Sequence, residues 1–191
     1  MILRPHFFWG VQNADAPPRM NVFLVGPMGS GKSAVGRQLA QRLALEFIDS
    51  DAEIEARTGV DIAYIFEREG EAGFRSREAE VIDALSRRDR VLVSTGGGAI
   101  LDASTRERLR ARGRVVYLRT SVDQQLARTR RSNDRPLLNN DDPRGTLERL
   151  FEQRAPLYTE VAEIVVDTDG RKVKTVVDQI CRQLGVDGPQ P

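Results

Sequence analysis

The sequence predicts an α/β fold: a five-stranded parallel sheet flanked by helices on both faces. Three observations predict it. Short, continuously apolar runs recur along the chain, as they do in strands buried on both sides. Amphipathic stretches with helical spacing separate these runs, and such alternation implies parallel strands joined by right-handed crossovers. At the end of the first run stands Gly26-Pro27-Met28-Gly29-Ser30-Gly31-Lys32-Ser33. A glycine, four free positions, then Gly-Lys-Ser is the phosphate-binding loop pattern, and it belongs between a strand and a helix.

Taken in order, Val22-Phe23-Leu24-Val25 is the first strand, and Val35, Leu39 and Leu43 mark one face of the helix that leaves the loop. Glu46-Phe47-Ile48-Asp49 reads as a second strand, and Ala52 to Arg57 as a helix stopped by Gly59. Ile62, Ile65 and Phe66 form an apolar stripe that Gly70 and Gly73 should break before a helix opens at Phe74, with Val81, Ile82 and Leu85 on one side. Val91-Leu92-Val93 is the third strand. Ser104 with Glu107 is a capping-box signature for the next helix, which Gly113 can end. Val115 to Leu118 is the fourth strand, and Ser121 with Gln124 caps a helix bearing Val122 and Leu126. Arg130 to Gly145 reads as a long loop, and Leu147, Leu150 and Phe151 restart a helix. Ile164-Val165-Val166 is the fifth strand, and Val173, Val176, Val177, Ile180 and Leu184 make a last amphipathic helix with Cys181 on its apolar side.

Residues 1–19 read as a dispensable extension ahead of a single domain spanning 20–185, with a tail at 186–191 that frays. The chain has 191 residues, enough for one domain with a substantial core. Its 29 basic and 28 acidic residues leave a net charge of +1, so there is no electrostatic case for general nucleic-acid binding. One cysteine excludes an internal disulfide and fits a reducing, cytoplasmic setting. The single histidine, His6, lies outside the expected core, which removes a histidine-based metal cluster or triad. No apolar run is long enough to span a bilayer.

All strand C-termini of such a sheet lie along one edge, where ligands bind. Three segments meet there. Glycines in the loop aim backbone N–H groups inward, and the helix N-terminus adds more; Lys32 places an ammonium against phosphates, and the Ser33 hydroxyl suits Mg²⁺. Asp49 and Asp51 can hold a metal or accept a proton, or else serve as a strand-end turn and a helix N-cap. Gly96-Gly97-Gly98 allows close backbone approach to a ligand, or is a flexible turn. The basic cluster from Arg128 to Arg135 opens the long loop, either as a mobile lid over the phosphates, at about 128–145, or as a solvated loop. Arg75 and Arg154 sit at helix boundaries and look like the chain's other arginines, whose commonest fate is a surface ion pair.

Together these residues resemble shikimate kinase, a family of small phosphate-loop kinases of nucleoside-monophosphate-kinase-like build. The resemblance runs from Met20 to about Leu184. It rests on residues 26–33, Asp49-Ser50-Asp51, Phe74-Arg75 with Glu78, Ser94-Thr95-Gly96-Gly97-Gly98, Arg135-Pro136-Leu137-Leu138, and Arg154 with Tyr158. It implies ATP held by Gly29, Ser30, Gly31, Lys32, Ser33 and Ala34, with Arg128 near adenine and Arg135 brought by the lid to the transferring phosphate. It implies Mg²⁺ ligated by Ser33 and, through water, by Asp49. Asp51 would bind shikimate hydroxyls and act as base, Arg75 and Arg154 would clamp its carboxylate, and Gly97 would add a backbone contact. A monomer with shikimate and ATP as its partners follows. A gluconate kinase and a nucleotide switch are the rival readings. The leading extension and Asp167 to Arg171, on the adenine side, depart from the family pattern.

Overall fold

The structure is a computed structural model and describes residues 20–129 and 141–186. Five strands form one parallel sheet: β1 (Val22–Val25), β2 (Glu46–Asp49), β3 (Val91–Ser94), β4 (Arg114–Arg119) and β5 (Ile164–Asp167), in the order β2-β3-β1-β4-β5. Val22 pairs with Leu92 on one side of β1 and with Arg114 on the other, so β1 is the centre. All four β1 side chains are fully buried. Side chains alternate across a strand, so β1 feeds two cores at once. Phe23 and Val25 enter one, with Ile54, Phe74, Leu85, Leu109 and Tyr158; Val22 and Leu24 enter the other, with Leu39, Ile180 and Cys181. Burying each such side chain contributes roughly 1.5–3 kcal/mol.

Helices α1 (Lys32–Leu43) and α7 (Val173–Leu184) cover the second face. The first is covered by α2 (Ser50–Thr58), α3 (Ile62–Ser86), α4 (Ala103–Arg112) and α6 (Pro143–Val161), while α5 (Val122–Thr129) packs on α6. The expected five-stranded, doubly covered α/β sheet is the observed one. Because the chain builds one side of β1 and then the other, a crevice opens beyond its carboxyl end.

Local differences have local reasons. Gly73 does not interrupt α3, and the helix begins twelve residues before Phe74, at Ile62; the break is at Gly70 alone, which takes φ 69° and ψ −178° inside it. Asp102, not Ser104, caps α4: its carboxylate accepts from Thr105 N at 2.8 Å, and Ser104 Oγ donates to it as well. A carboxylate is the stronger acceptor, so it displaces the hydroxyl two residues on. On α5, Val122 and Leu126 are only half-buried, whereas Gln125 and Thr129 are fully buried. That helix turns its polar side to the phosphate loop; a side-chain carbon on Gly29 would lie 3.1 Å from Gln125 Cα. The long loop ends earlier than Gly145, because Asp142 caps α6 and Pro143 occupies its first turn, where a missing N–H costs nothing. Gly185 and Val186 close α7 with backbone bonds to Arg182 and Cys181, and Val186 packs on the core. Residues 1–19, with His6, and 187–191 lie outside the described residues, as does most of the expected lid.

Candidate active site

The crevice beyond β1 is a cleft of about 350 Å³ into which the phosphate loop, Asp49, Asp51, Arg75, Gly96–Gly98, Arg128 and Arg154 all open. The loop turns on Gly29 and Gly31, whose φ values of 75° and 90° are left-handed and favour glycine. Gly31 is the N-cap of α1, so the first N–H groups of that helix face the loop's hollow. Lys32 folds back across the hollow and its Nζ donates to the carbonyls of Gly26 at 2.8 Å and Pro27 at 2.9 Å. Ser30 is buried; Ser33 and Ala34 line the cleft from the first turn.

At the end of β2, Asp49 does two jobs. It caps α2 by accepting from Asp51 N at 3.1 Å, and its other oxygen accepts from Ser33 Oγ at 2.8 Å. The cap role is thus held by Asp49 rather than Asp51. The Asp51 side chain turns instead toward the glycine run at the end of β3. A side-chain carbon at Gly96 would lie 2.9 Å from Asp51 Oδ1 and 2.1 Å from Glu78 Oε1, so only a bare α-carbon fits between the two carboxylates.

Arg75 and Arg154 lie inside α3 and α6, not at helix boundaries. Arg75 Nη1 donates to Glu78 Oε2 at 2.6 Å and Nη2 to Glu71 Oε1 at 3.0 Å, with the guanidinium lying over the Phe74 ring. Its plane fills the space that any side chain on Gly98 would need, 2.3 Å from that carbon. Burial alone would lower the Arg75 pKa, but the Glu78 and Glu71 carboxylates together more than offset it and the net shift is upward. Glu78 is buried, which pushes its own carboxyl above the ordinary range against the pull of Arg75; the neighbouring Asp51 adds to that push. Arg154 is only 4% exposed, and its Nε has no hydrogen-bond partner. Burial draws its guanidinium below the ordinary value. A buried cation with an unmatched donor points to an anion that belongs there.

Beside the phosphate loop, Arg128 Nη1 donates to Gly29 O at 2.8 Å and its Nη2 to Thr168 O at 3.1 Å. The segment after β5, which carries no sequence motif, is therefore tied to the phosphate loop by one arginine. Every candidate from the sequence opens into this cleft except Ser30, which is buried, and Arg135, which lies outside the described residues. Two contributors carried no chemical signal in the sequence, Thr168 and the Ile62 and Phe66 wall of α3, and Tyr158 entered only through the resemblance, with no role given to its hydroxyl. Among the described residues no helix is long and apolar enough to cross a membrane.

Comparison with known proteins places this geometry. The family model described as Shikimate kinase matches residues 28–185. The protein named shikimate kinase from Shewanella amazonensis is 56% identical over 167 residues, 87% of this chain and 98% of that one. Among solved structures, shikimate kinase from Acinetobacter baumannii in complex with shikimate superposes with a TM-score of 0.86 at 47% identity, covering 88% of this chain and 94% of the other. Shikimate kinase from Aquifex aeolicus gives 0.76 at 36% identity, with 87% and 96% covered.

Proposed function

The chain belongs to the shikimate kinase family, and on that premise we propose that it transfers the γ-phosphoryl of ATP to the 3-hydroxyl of shikimate, releasing ADP. The observation that carries this reading is the pairing, in one cleft, of a phosphate loop with two guanidinium groups, Arg75 half-buried and Arg154 buried with an unmatched N–H. A nucleotide switch has no use for a carboxylate clamp facing its phosphates. A gluconate kinase would also bind a hydroxylated carboxylate, but the 56% identity to shikimate kinases favours the cyclic acid.

The backbone of Gly29, Ser30 and Gly31, with Lys32, Ser33 and Ala34, would hold the phosphates. Lys32 has only to swing from the loop carbonyls to the β- and γ-oxygens, a charge-for-dipole exchange that favours the nucleotide. Arg128 would border the base beside Thr168. Shikimate's carboxylate would lie between Arg75 and Arg154, whose planar forks suit it. Its ring would rest against Phe66 and Ile62, near the backbone of Gly97. Asp51 would bind ring hydroxyls and take the proton of the 3-hydroxyl as that oxygen bonds to the γ-phosphorus and the bond to the ADP oxygen breaks. Arg135, by the resemblance, would meet the transferred group. Catalysis of this kind is mostly positioning and charge stabilisation.

Ser33 Oγ and Asp49 Oδ2 stand 2.8 Å apart, two hard oxygen donors beside the phosphate loop, and they fit Mg²⁺. When bound, Mg²⁺ would supply positive charge to the β- and γ-phosphate oxygens. Action as a monomer belongs to the same proposal, and the reducing setting expected from the single cysteine, Cys181, supports a cytoplasmic enzyme. Purified protein with ATP, Mg²⁺ and a panel containing shikimate, quinate and gluconate tests the reading by ADP release. Turnover should appear with shikimate and fall by at least tenfold with gluconate. Equal turnover with gluconate, or none with shikimate, would remove the proposal.

A further inference from the structure

Tyr158 lies one helical turn beyond Arg154 on α6 and is fully buried, its ring stacked on Tyr117 with centroids 4.9 Å apart. Its hydroxyl donates to the carbonyl of Gly97 across 61 residues of sequence. No proposed chemical step uses this contact. Yet a peptide unit is planar and trans, so the carbonyl of Gly97 and the N–H of Gly98 point in opposite directions. A bond that draws the carbonyl down into the core must turn the Gly98 N–H outward, toward the cleft.

Resting on the shikimate reading above, we infer that Tyr158 is a positioning residue for substrate recognition: its buried hydroxyl fixes the Gly97–Gly98 peptide plane so that the loop's N–H faces the substrate beside Arg75. Several features support this assignment. The loop's three consecutive glycines, Gly96 to Gly98, have intrinsic freedom to flip a peptide plane, so something outside the loop must hold it. The ring is held by its stack on Tyr117 and by α6, so the hydroxyl cannot wander. Burial also pushes the Tyr158 hydroxyl far above its ordinary titration range, so it keeps its proton and remains a donor at any working pH. Since Arg154 and Tyr158 share one helix face, a single rigid element sets both the guanidinium and the backbone donor. Arg75, stacked on the Gly98 α-carbon, holds the loop from the other side.

Tyr158→Phe keeps the ring and deletes the donor. Tyr117→Phe is the matched control, because the Tyr117 hydroxyl is buried without a hydrogen-bond partner and contributes no such bond. In the full chain, Tyr158→Phe should raise the shikimate KM about tenfold, the size expected for one lost hydrogen bond, while the ATP KM stays unchanged. Tyr117→Phe should leave both alone. In the ligand-free proteins, the ¹⁵N–¹H resonance of Gly98 should move and its amide exchange should quicken in Tyr158→Phe only. A lowered melting temperature with an unchanged shikimate KM and an unmoved Gly98 amide would make Tyr158 merely structural and overturn the inference. If the unsubstituted protein did not turn over shikimate, the functional reading would fall by itself, and the Gly98 amide would still decide whether Tyr158 sets the peptide.

Discussion

Arg154 and Glu78 show what burial does to a charge at the scale of one residue. Each is nearly sealed from water, at 4% and 1% exposure, and each keeps one polar atom without a hydrogen-bond partner. A surface arginine would gain almost nothing from an ion pair, but these two sit where charge is costly and therefore selective. The Glu78 carboxyl faces Arg75 and Arg154, with Asp51 across Gly96, and burial lifts its pKa above the ordinary 4.5. The folded protein then holds that proton more tightly than the unfolded chain does. Its contribution to stability is greatest below 4.5 and is lost as pH rises from there through the folded value. Glu78→Gln should abolish this part of the profile, so the stability difference between the two proteins, followed by urea melts at successive pH values, should shift against the unsubstituted chain as pH climbs. A flat difference would mean that Arg75 fully compensates the burial. Neither residue was legible as buried in the sequence, where Arg154 is one arginine among many. Which one is sealed is decided by α6 crossing the glycine run, a contact between segments far apart in the chain.

At the scale of elements, the kink in α3 separates two tasks. Residues before Gly70 bring Ile62 and Phe66 to the cleft wall; residues after it bring Arg75 and Glu78 to its floor. A straight helix could not present both, because the two sets would follow one continuous surface stripe. Gly70 makes the turn with φ 69° and ψ −178°, a region almost closed to side chains, and a carbon added there would touch nothing within 4 Å. Gly70→Ala therefore isolates backbone strain from crowding. It should cost about 1–3 kcal/mol, lowering the melting temperature by roughly 2–12 °C, and should raise the shikimate KM by loosening the wall against the floor. Unchanged stability would show that the kink relaxes freely. The sequence pointed to a break here because glycine interrupts the apolar stripe, but it named Gly73 equally; only the observed dihedrals distinguish a glycine that bends from one that continues the helix. The cap of α4 is a similar case, since Asp102 and Ser104 are both good caps and the sequence pattern alone favoured the wrong one.

For the whole molecule, the fold was readable because a parallel sheet buried on both faces leaves continuous apolar runs, and because the loop at residues 26–33 marks a strand that leads into a helix; the strand order was not in the sequence pattern. The site was readable where glycine or carboxylate clusters follow strands, and not where helices supply single side chains. On the proposed reading one cleft holds both ligands: Lys32 and Arg128 would meet the nucleotide, Arg75 and Arg154 the acid, and Asp51 the hydroxyl that reacts. The two pairs are built on different elements, α1 and α5 against α3 and α6, so each should bind its ligand without the other. Thermal melts test this separation directly. A ligand at 100 times its Kd stabilises by about 2.7 kcal/mol, a rise of roughly 5–11 °C for a domain of this size. Lys32→Ala should lose the shift caused by ATP with Mg²⁺ and keep the shift caused by shikimate; Arg154→Ala should do the reverse. Each shift is read against the same variant without ligand, so a change in intrinsic stability does not enter. If either substitution removed both shifts, the two pairs would not be independent sites, and the division of labour drawn from the sheet's topology would be wrong.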